Sequence, residues 1–357
     1  MTMCDTGFAS LGNKAAAKDT VSFEMGALID LHLHLDGSIS FESAKELAAI
    51  QHLPVKSDRE LRELMCASAD CHSLNDFLTK FGYAKSLLQT QVGITRSVNN
   101  LIHELRDDGL IYAEIRFAPQ LSLDNGLTME EVVEAAIAGL DDNVMPCRLI
   151  LSCMRGEASQ VHDANMKTIE LVAKYLGRGV VASDLAGAEA VYPTKDFADV
   201  FAYARDLNVP FAIHAGEAQD SISGVESIRT AIAMGARRIE HGILAYSDEE
   251  LMKELAEKQI PLTLCPTSNL FTEVFEDISQ HPFRKFMHYG INFCINTDNM
   301  TVEGVDLRHE YELMRTTFGM TKGELVMLLN NAVGMSFAPD SLKSKLRAQI
   351  AEFYQMD

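Results

Sequence analysis

The sequence predicts one closed, parallel (β/α)8 barrel, with a helical insertion after the first strand and extra helices at the C-terminus. Three observations carry this. Eight short β-branched or apolar runs alternate with amphipathic stretches, each run ends in polar residues, and 357 residues suit one large α/β barrel with insertions. The runs are the one ending at Leu35, then Ile111 to Phe117, Arg148 to Met154, Val180 to Leu185, Pro210 to His214, Arg238 to His241, Pro261 to Cys265 and Asn292 to Thr297. An open doubly wound sheet shares this periodicity and stays as the alternative, although no Gly-x-Gly-x-x-Gly follows the first run to support a dinucleotide-binding version.

Taken in order, residues 1–26 read as a polar, mobile tail without the continuous apolar region of a secretory signal, and residues 27–357 as a single domain. After the first strand, residues 41–106 read as helical: Phe41 to Ile50, Asp58 to Met65 and Leu74 to Gln89. That is too much helix for one strand-to-strand connection, so it is expected to lie over one end of the fold. Within it Leu74, Phe77, Leu78 and Phe81 recur at helical spacing, as a core stripe or as the roof of a pocket. Strands and helices then alternate regularly to residue 297. Residues 304–357 read as helices that close the outer layer.

Composition excludes several classes of partner. With 51 acidic and 31 basic residues the formal charge is −20, a field that repels nucleic acid and anionic membrane surfaces. A phosphorylated substrate would need a local basic pocket, and neither a Lys/Arg cluster nor a Gly-rich phosphate loop is present. A neutral small molecule is therefore expected. No run approaches the ~18 apolar residues of a membrane-spanning helix. The seven cysteines form no Cys-x-x-Cys pair and read as reduced, apolar fillers of a cytoplasmic protein.

The chemistry gathers at strand ends. In Leu31-His32-Leu33-His34-Leu35-Asp36-Gly37-Ser38, strand alternation sends His32, His34 and Asp36 to one face, and Gly37 lets the chain turn away. Two imidazoles at the end of a buried strand are either hydrogen-bonded core residues or ligands of a divalent metal. The fifth run ends His214-Ala215-Gly216-Glu217, the sixth Glu240-His241-Gly242, and the eighth Thr297-Asp298-Asn299. Three histidine nitrogens and one carboxylate would hold zinc with a position left for water, whose pKa falls from ~15.7 towards ~7. Neither His-Glu-x-x-His nor the paired motifs of cytidine-type deaminases are present.

These segments, with Arg238-Ile-Glu-His-Gly242, Cys265-Pro-Thr-Ser-Asn269, Asp184-Leu-Ala-Gly187, Cys153-Met-Arg155 and Leu74-Asn-Asp-Phe-Leu-Thr-Lys-Phe81, resemble the ordered motifs of adenosine deaminases from about residue 28 to near the C-terminus. The resemblance implies a (β/α)8 barrel that converts adenosine, and 2′-deoxyadenosine, to inosine and ammonia by hydroxide attack at purine C6. It implies one zinc ion per chain on His32, His34, His214 and Asp298. Glu217 matches the proton donor to purine N1 and His241 the residue that orients the hydroxide. Gly187 matches the backbone contact to N3 and Asp36 the contact to the ribose hydroxyls, with His34 also lining the substrate site.

One departure is Asn299, where many members carry a second Asp that meets purine N7. An Asn amide donates to N7 without needing a raised pKa. Ala188 also stands where an acidic residue is common. Arg116 and Arg155 close their runs, either in ion pairs behind the site or in direct contact with it. The rival readings are deamination of adenine or another 6-substituted purine, a two-metal amidohydrolase, and a non-catalytic nucleoside-binding protein. The second lacks a lysine where the fourth run ends Asp184-Leu185-Ala186, and the third is at odds with Glu217 and His241.

Overall fold

Among the described residues there are eight parallel strands: β1 Leu28–His34, β2 Leu110–Phe117, β3 Cys147–Met154, β4 Val180–Ala186, β5 Ala212–Ala215, β6 Arg238–His241, β7 Leu262–Leu264 and β8 Phe293–Ile295. The computed structural model describes residues 23–68, 77, 79–217 and 221–355. β1 to β4 pair in sequence order, as do β5 to β8. Two seams join the sets. Ser183 N–H donates to the Pro210 carbonyl at 2.9 Å, and beyond β8 the Asp298 N–H and carbonyl bond to His32 and His34, both at 2.8 Å. The sheet is therefore a closed barrel, which removes the open-sheet alternative. The second seam also has a chemical consequence, because the pairing itself sets Asp298 beside His32 and His34.

The strands are buried almost throughout, as parallel strands covered by helices must be. Charges fill part of the barrel interior. Arg238 pairs with Glu114 at 2.8 Å and Glu240 at 3.0 Å, and stacks over Phe337. Near the opposite end of the chain the helix Lys322–Met335 packs on β1 and β8, and the helix Asp340–Tyr354 packs on it in turn.

The insertion after β1 begins as expected with helices Phe41–Ile50 and Asp58–Met65, the latter started by a Ser57/Glu60 capping box. Of the helix expected over Leu74 to Gln89 only part lies among the described residues: Phe77 and Thr79 are helical, and the chain turns at Lys80. Residues 69–76 and 78 lie outside the described residues, a helix spans Phe81–Leu87, and a new one runs Gln91–Asp107. The Thr90 hydroxyl starts the second of these helices by accepting from Gly93 N–H at 3.1 Å. Gly93 itself has no room for a side chain, since a Cβ there would lie 2.3 Å from the Leu87 carbonyl oxygen.

At the N-terminus, the tail expected over 1–26 falls outside the described residues up to residue 22. Met25 is buried, and the Gly26 carbonyl accepts from the Tyr354 hydroxyl at 2.9 Å, so the chain is already packed there. Cys147, Cys153, Cys265 and Cys294 are free and buried. Cys66 is disulfide-bonded, against the expectation that all seven are reduced. Pairing depends on Cα approach in space, which spacing along the chain does not reveal. No helix among the described residues is long and apolar enough to cross a membrane.

Candidate metal and catalytic site

A cavity of about 630 Å³ opens at the carboxyl ends of the strands, where (β/α)8 barrels carry their chemistry. Its floor includes His34, His214, His241 and Asp298, its sides Asp36, Gly187, Glu217 and Asn299, and its apolar wall Phe77, Phe81, Phe117 and Phe271. Phe77 and Phe81 of the insertion thus face the cavity, ring against ring at 5.7 Å, which supports the roofing reading for the described part of that stripe.

Below the floor His32 is fully buried. Its Nδ1 lies 3.1 Å from Glu240 and 3.0 Å from the Thr263 hydroxyl, and His214 Nδ1 lies 3.0 Å from Asp184. A carboxylate at each Nδ1 draws the ring proton there, leaving Nε2 with its lone pair turned to the centre. His34 Nε2 is 3.3 Å from His214 Nε2 and 3.3 Å from Asp298 Oδ1, which is 3.5 Å from His32 Nε2. These separations match the ligand-to-ligand edge of roughly 3.3–3.4 Å set by tetrahedral bonds of about 2.0–2.1 Å.

Buried polar atoms without partners make the same point. His32 Nε2 and both ring nitrogens of His241 have no hydrogen bond, a costly arrangement unless a further group satisfies them. Burial, followed by Asp298 and then His214, sets the His34 pKa, which ends well below its usual range; burial, with His32 next, does the same to His241. Both rings are therefore neutral, the metal-binding form. The donor set fits a cation. His32, His214 and His241 converge within 4.8 Å, as do His32, Cys265 and Asp298, and Glu217, His241 and Asp298. Burial holds the Cys265 thiol well above its usual value, protonated and a poor ligand.

Backbone geometry at the site is unusual. His241 and Asp298 adopt left-handed conformations, φ 60° and 65°, which residues with a Cβ enter at a cost of order 1–3 kcal/mol. Both turn their side chains into the cavity. Asp298 Oδ2 accepts from the Ser268 hydroxyl at 2.7 Å and lies 3.8 Å from His241 Nε2. Glu217 Oε1 is 3.7 Å from His241 Nε2. Burial pushes the Glu217 carboxyl up to about 8, and the charges of Asp298 and Glu189 add to the shift. Burial also raises Asp36, to about 6.

All nine sequence-predicted residues meet at this one end of the barrel. Arg116 belongs behind them: it pairs with Asp184 at 3.2 Å and Glu240 at 2.9 Å, fully buried. Asp184, Glu240, Thr263, Ser268 and Glu189 contact these residues, and sequence reasoning gave none of them a role. Asp184 stood in view at the end of the fourth run. Asn299 lines the cavity as expected, but its Nδ2 already donates to Glu303 at 3.3 Å and its Oδ1 is buried without a partner.

Comparison with known proteins agrees with this geometry. The chain is 41% identical over 339 residues to an adenosine deaminase of Haemophilus ducreyi, covering 92% of this chain and 96% of that protein. In fold it is similar to an adenine deaminase from Arthrobacter aurescens, with a TM-score of 0.81, 24% identity and coverage of 93% of this chain and 100% of that one. It is also similar in fold to a zinc-bound amidohydrolase from Burkholderia ambifaria, with a TM-score of 0.81, 21% identity and 97% coverage of both chains. Residues 28–353 match the adenosine deaminase family model, and the chain belongs to that family.

Proposed function

We propose that this protein hydrolyses adenosine, and 2′-deoxyadenosine, to inosine and ammonia. The observation that carries the proposal is the convergence of His32, His34, His214 and Asp298 on one centre, with Glu217 and His241 beside it. Those four residues would hold one zinc ion, which when bound supplies hydroxide at neutral pH by lowering the pKa of water from ~15.7 to ~7.

The remaining work falls to the side chains. Water adds to C6 of an aromatic ring, and a proton from Glu217 to N1 makes C6 electrophilic without leaving negative charge on the ring. That needs a carboxyl that is neutral at working pH, which burial of Glu217 favours. His241, neutral and 3.8 Å from Asp298, orients the attacking oxygen. Asp298 turns Oδ1 to the histidines and Oδ2 to His241 and Ser268, so Oδ2 takes the attacking water's proton and passes it towards the departing ammonia. Asp36 accepts from the ribose hydroxyls, and the Gly187 N–H meets N3. The second hydrogen of Asn299 Nδ2, the one not given to Glu303, meets N7.

Asp36 favours a nucleoside over free adenine, since a carboxylate at the sugar end has nothing to accept from a bare base. The single domain over 27–357 belongs to the same proposal. So does a cytoplasmic location, which the four free cysteines support and the disulfide at Cys66 does not.

A zinc-replete assay with adenosine, deoxyadenosine, adenine and AMP, read by the ultraviolet change as the amine is lost, tests the reading. The two nucleosides are expected to turn over, and adenine about 10²-fold more slowly. Glu217→Gln is expected to bind one zinc ion normally and lose about 10²–10⁴-fold in kcat. A near wild-type rate in that variant would remove Glu217 as the acid.

A further inference from the structure

The strand end that carries His214 and Glu217 is gripped from two sides by buried charges. On one side Glu189, 7% exposed, accepts the Gly216 N–H through Oε1 at 2.8 Å and the Glu217 N–H through Oε2 at 2.9 Å. On the other, Arg155, 6% exposed, donates from Nη2 to the His214 carbonyl at 2.6 Å. The same guanidinium is anchored on the Tyr192 carbonyl at 2.7 Å and the Thr194 hydroxyl at 2.9 Å. An anion thus holds two N–H groups and a cation holds a carbonyl within four consecutive residues.

The segment between them needs such support. Gly216 sits at φ 72°, and a Cβ there would lie 2.4 Å from the Ile228 side chain, so the chain passes through a left-handed turn in a space only glycine fits. No backbone partner on a neighbouring strand meets the Gly216 and Glu217 N–H groups, because β5 ends at Ala215. Charge-assisted hydrogen bonds are about twice as strong as neutral ones, and a buried N–H left without an acceptor costs about 1–3 kcal/mol. Both carboxylate oxygens are used on consecutive amides. That defines the direction of the backbone, and hence where the Glu217 side chain starts.

We propose that Glu189 and Arg155 are positioning residues, which fix the backbone from His214 to Glu217 and so hold the metal-ligating imidazole and the proton donor in register. The inference rests on the role given to Glu217 above. It also gives Arg155 a place beyond a structural ion pair, through its bond to the carbonyl of a ligand residue.

Glu189→Ala and Glu189→Gln in the metal-loaded, full-length protein test it. Backbone amide exchange at Gly216 and Glu217 is measured residue by residue, together with metal content, kcat, KM and Tm. In Glu189→Ala, exchange at those two amides is expected to rise about 10²-fold, with the other strands unaffected. Its kcat is expected to fall about 10²-fold at unchanged metal stoichiometry, with KM within about threefold. Glu189→Gln keeps the size and one acceptor oxygen, so it stays folded and falls between the Ala variant and wild type. A purely structural role would lower Tm while leaving the kcat of the folded protein at the wild-type value, and that result overturns the proposal. Unchanged exchange at both amides in Glu189→Gln overturns it as well. The exchange measurement does not depend on turnover: a wild-type protein inactive on adenosine contradicts the deaminase reading, while exchange still decides the brace.

Discussion

Asn299 stands where the resemblance to adenosine deaminases implies a second Asp, and the packing around it sets what it can do. A Cβ on Gly37 would lie 2.1 Å from Asn299 Oδ1, so the amide is wedged beneath the turn that follows β1. Its Nδ2 donates to Glu303, whose carboxyl burial and then Asp298 hold well above the usual range. Asn299→Leu is expected to weaken nucleoside binding about tenfold, of order 1–3 kcal/mol for a lost donor, with little change in metal content. Titration calorimetry giving the wild-type affinity would remove the N7 contact. Asn299→Asp would place two carboxyls side by side that cannot both ionise, so one proton is shared and can still be donated. Measurable turnover is expected at neutral pH, declining as pH rises. At this scale the candidate ligands were legible because alternation and strand ends expose them. Asp184 and Glu240 were not, because the partner of an imidazole Nδ1 comes from another strand and has no spacing signature.

The helix start at Asp58 was legible, and capping there is local: Ser57 with Glu60 three residues on. The helix Gln91–Asp107 was read only as part of the helical stretch over 41–106, without bounds of its own. One contact between elements makes a pH prediction. Ser40, the cap of helix Phe41–Ile50, donates its hydroxyl to Glu104 Oε1 at 2.6 Å on helix Gln91–Asp107. Burial raises the Glu104 carboxyl from 4.5 to about 7. A carboxyl whose pKa is raised on folding favours the folded state while protonated. Its contribution, of order a few kcal/mol, is full below about 4.5 and is lost as pH rises through about 7. Denaturant titrations of wild type and Glu104→Gln at several pH values check this. The variant is expected to gain stability relative to wild type between about pH 5 and pH 8. A constant difference across that range would show that Glu104 does not titrate there.

Across the whole molecule, eight strand ends bring distant segments of chain to one place, and the periodicity that marks those strands is why the barrel was readable. Closure was expected from the eight runs, but periodicity left the open sheet as an alternative, because what decides between them is pairings such as Ser183 with Phe211 and Leu33 with Asp298, which no local pattern records. Inside the barrel, Arg116 ties the layers together: it bonds the Leu31 carbonyl at 2.8 Å, Asp184 and Glu240. The last two in turn hold His214 and His32. Arg116→Met is expected to leave Asp184 without its Arg116 partner and Glu240 with Arg238 as its remaining arginine, costing about 3–5 kcal/mol of stability, and to weaken metal binding about 10–100-fold. Metal-chelator competition and thermal melts read both effects. A variant with wild-type metal affinity would reduce Arg116 to packing alone.

Diffraction from crystals grown with zinc, recorded at the zinc absorption edge, tests the central claim most directly. One anomalous peak per chain is predicted, within about 2.0–2.2 Å of donor atoms from His32, His34, His214 and Asp298. Two peaks, or none among these four residues, would contradict it.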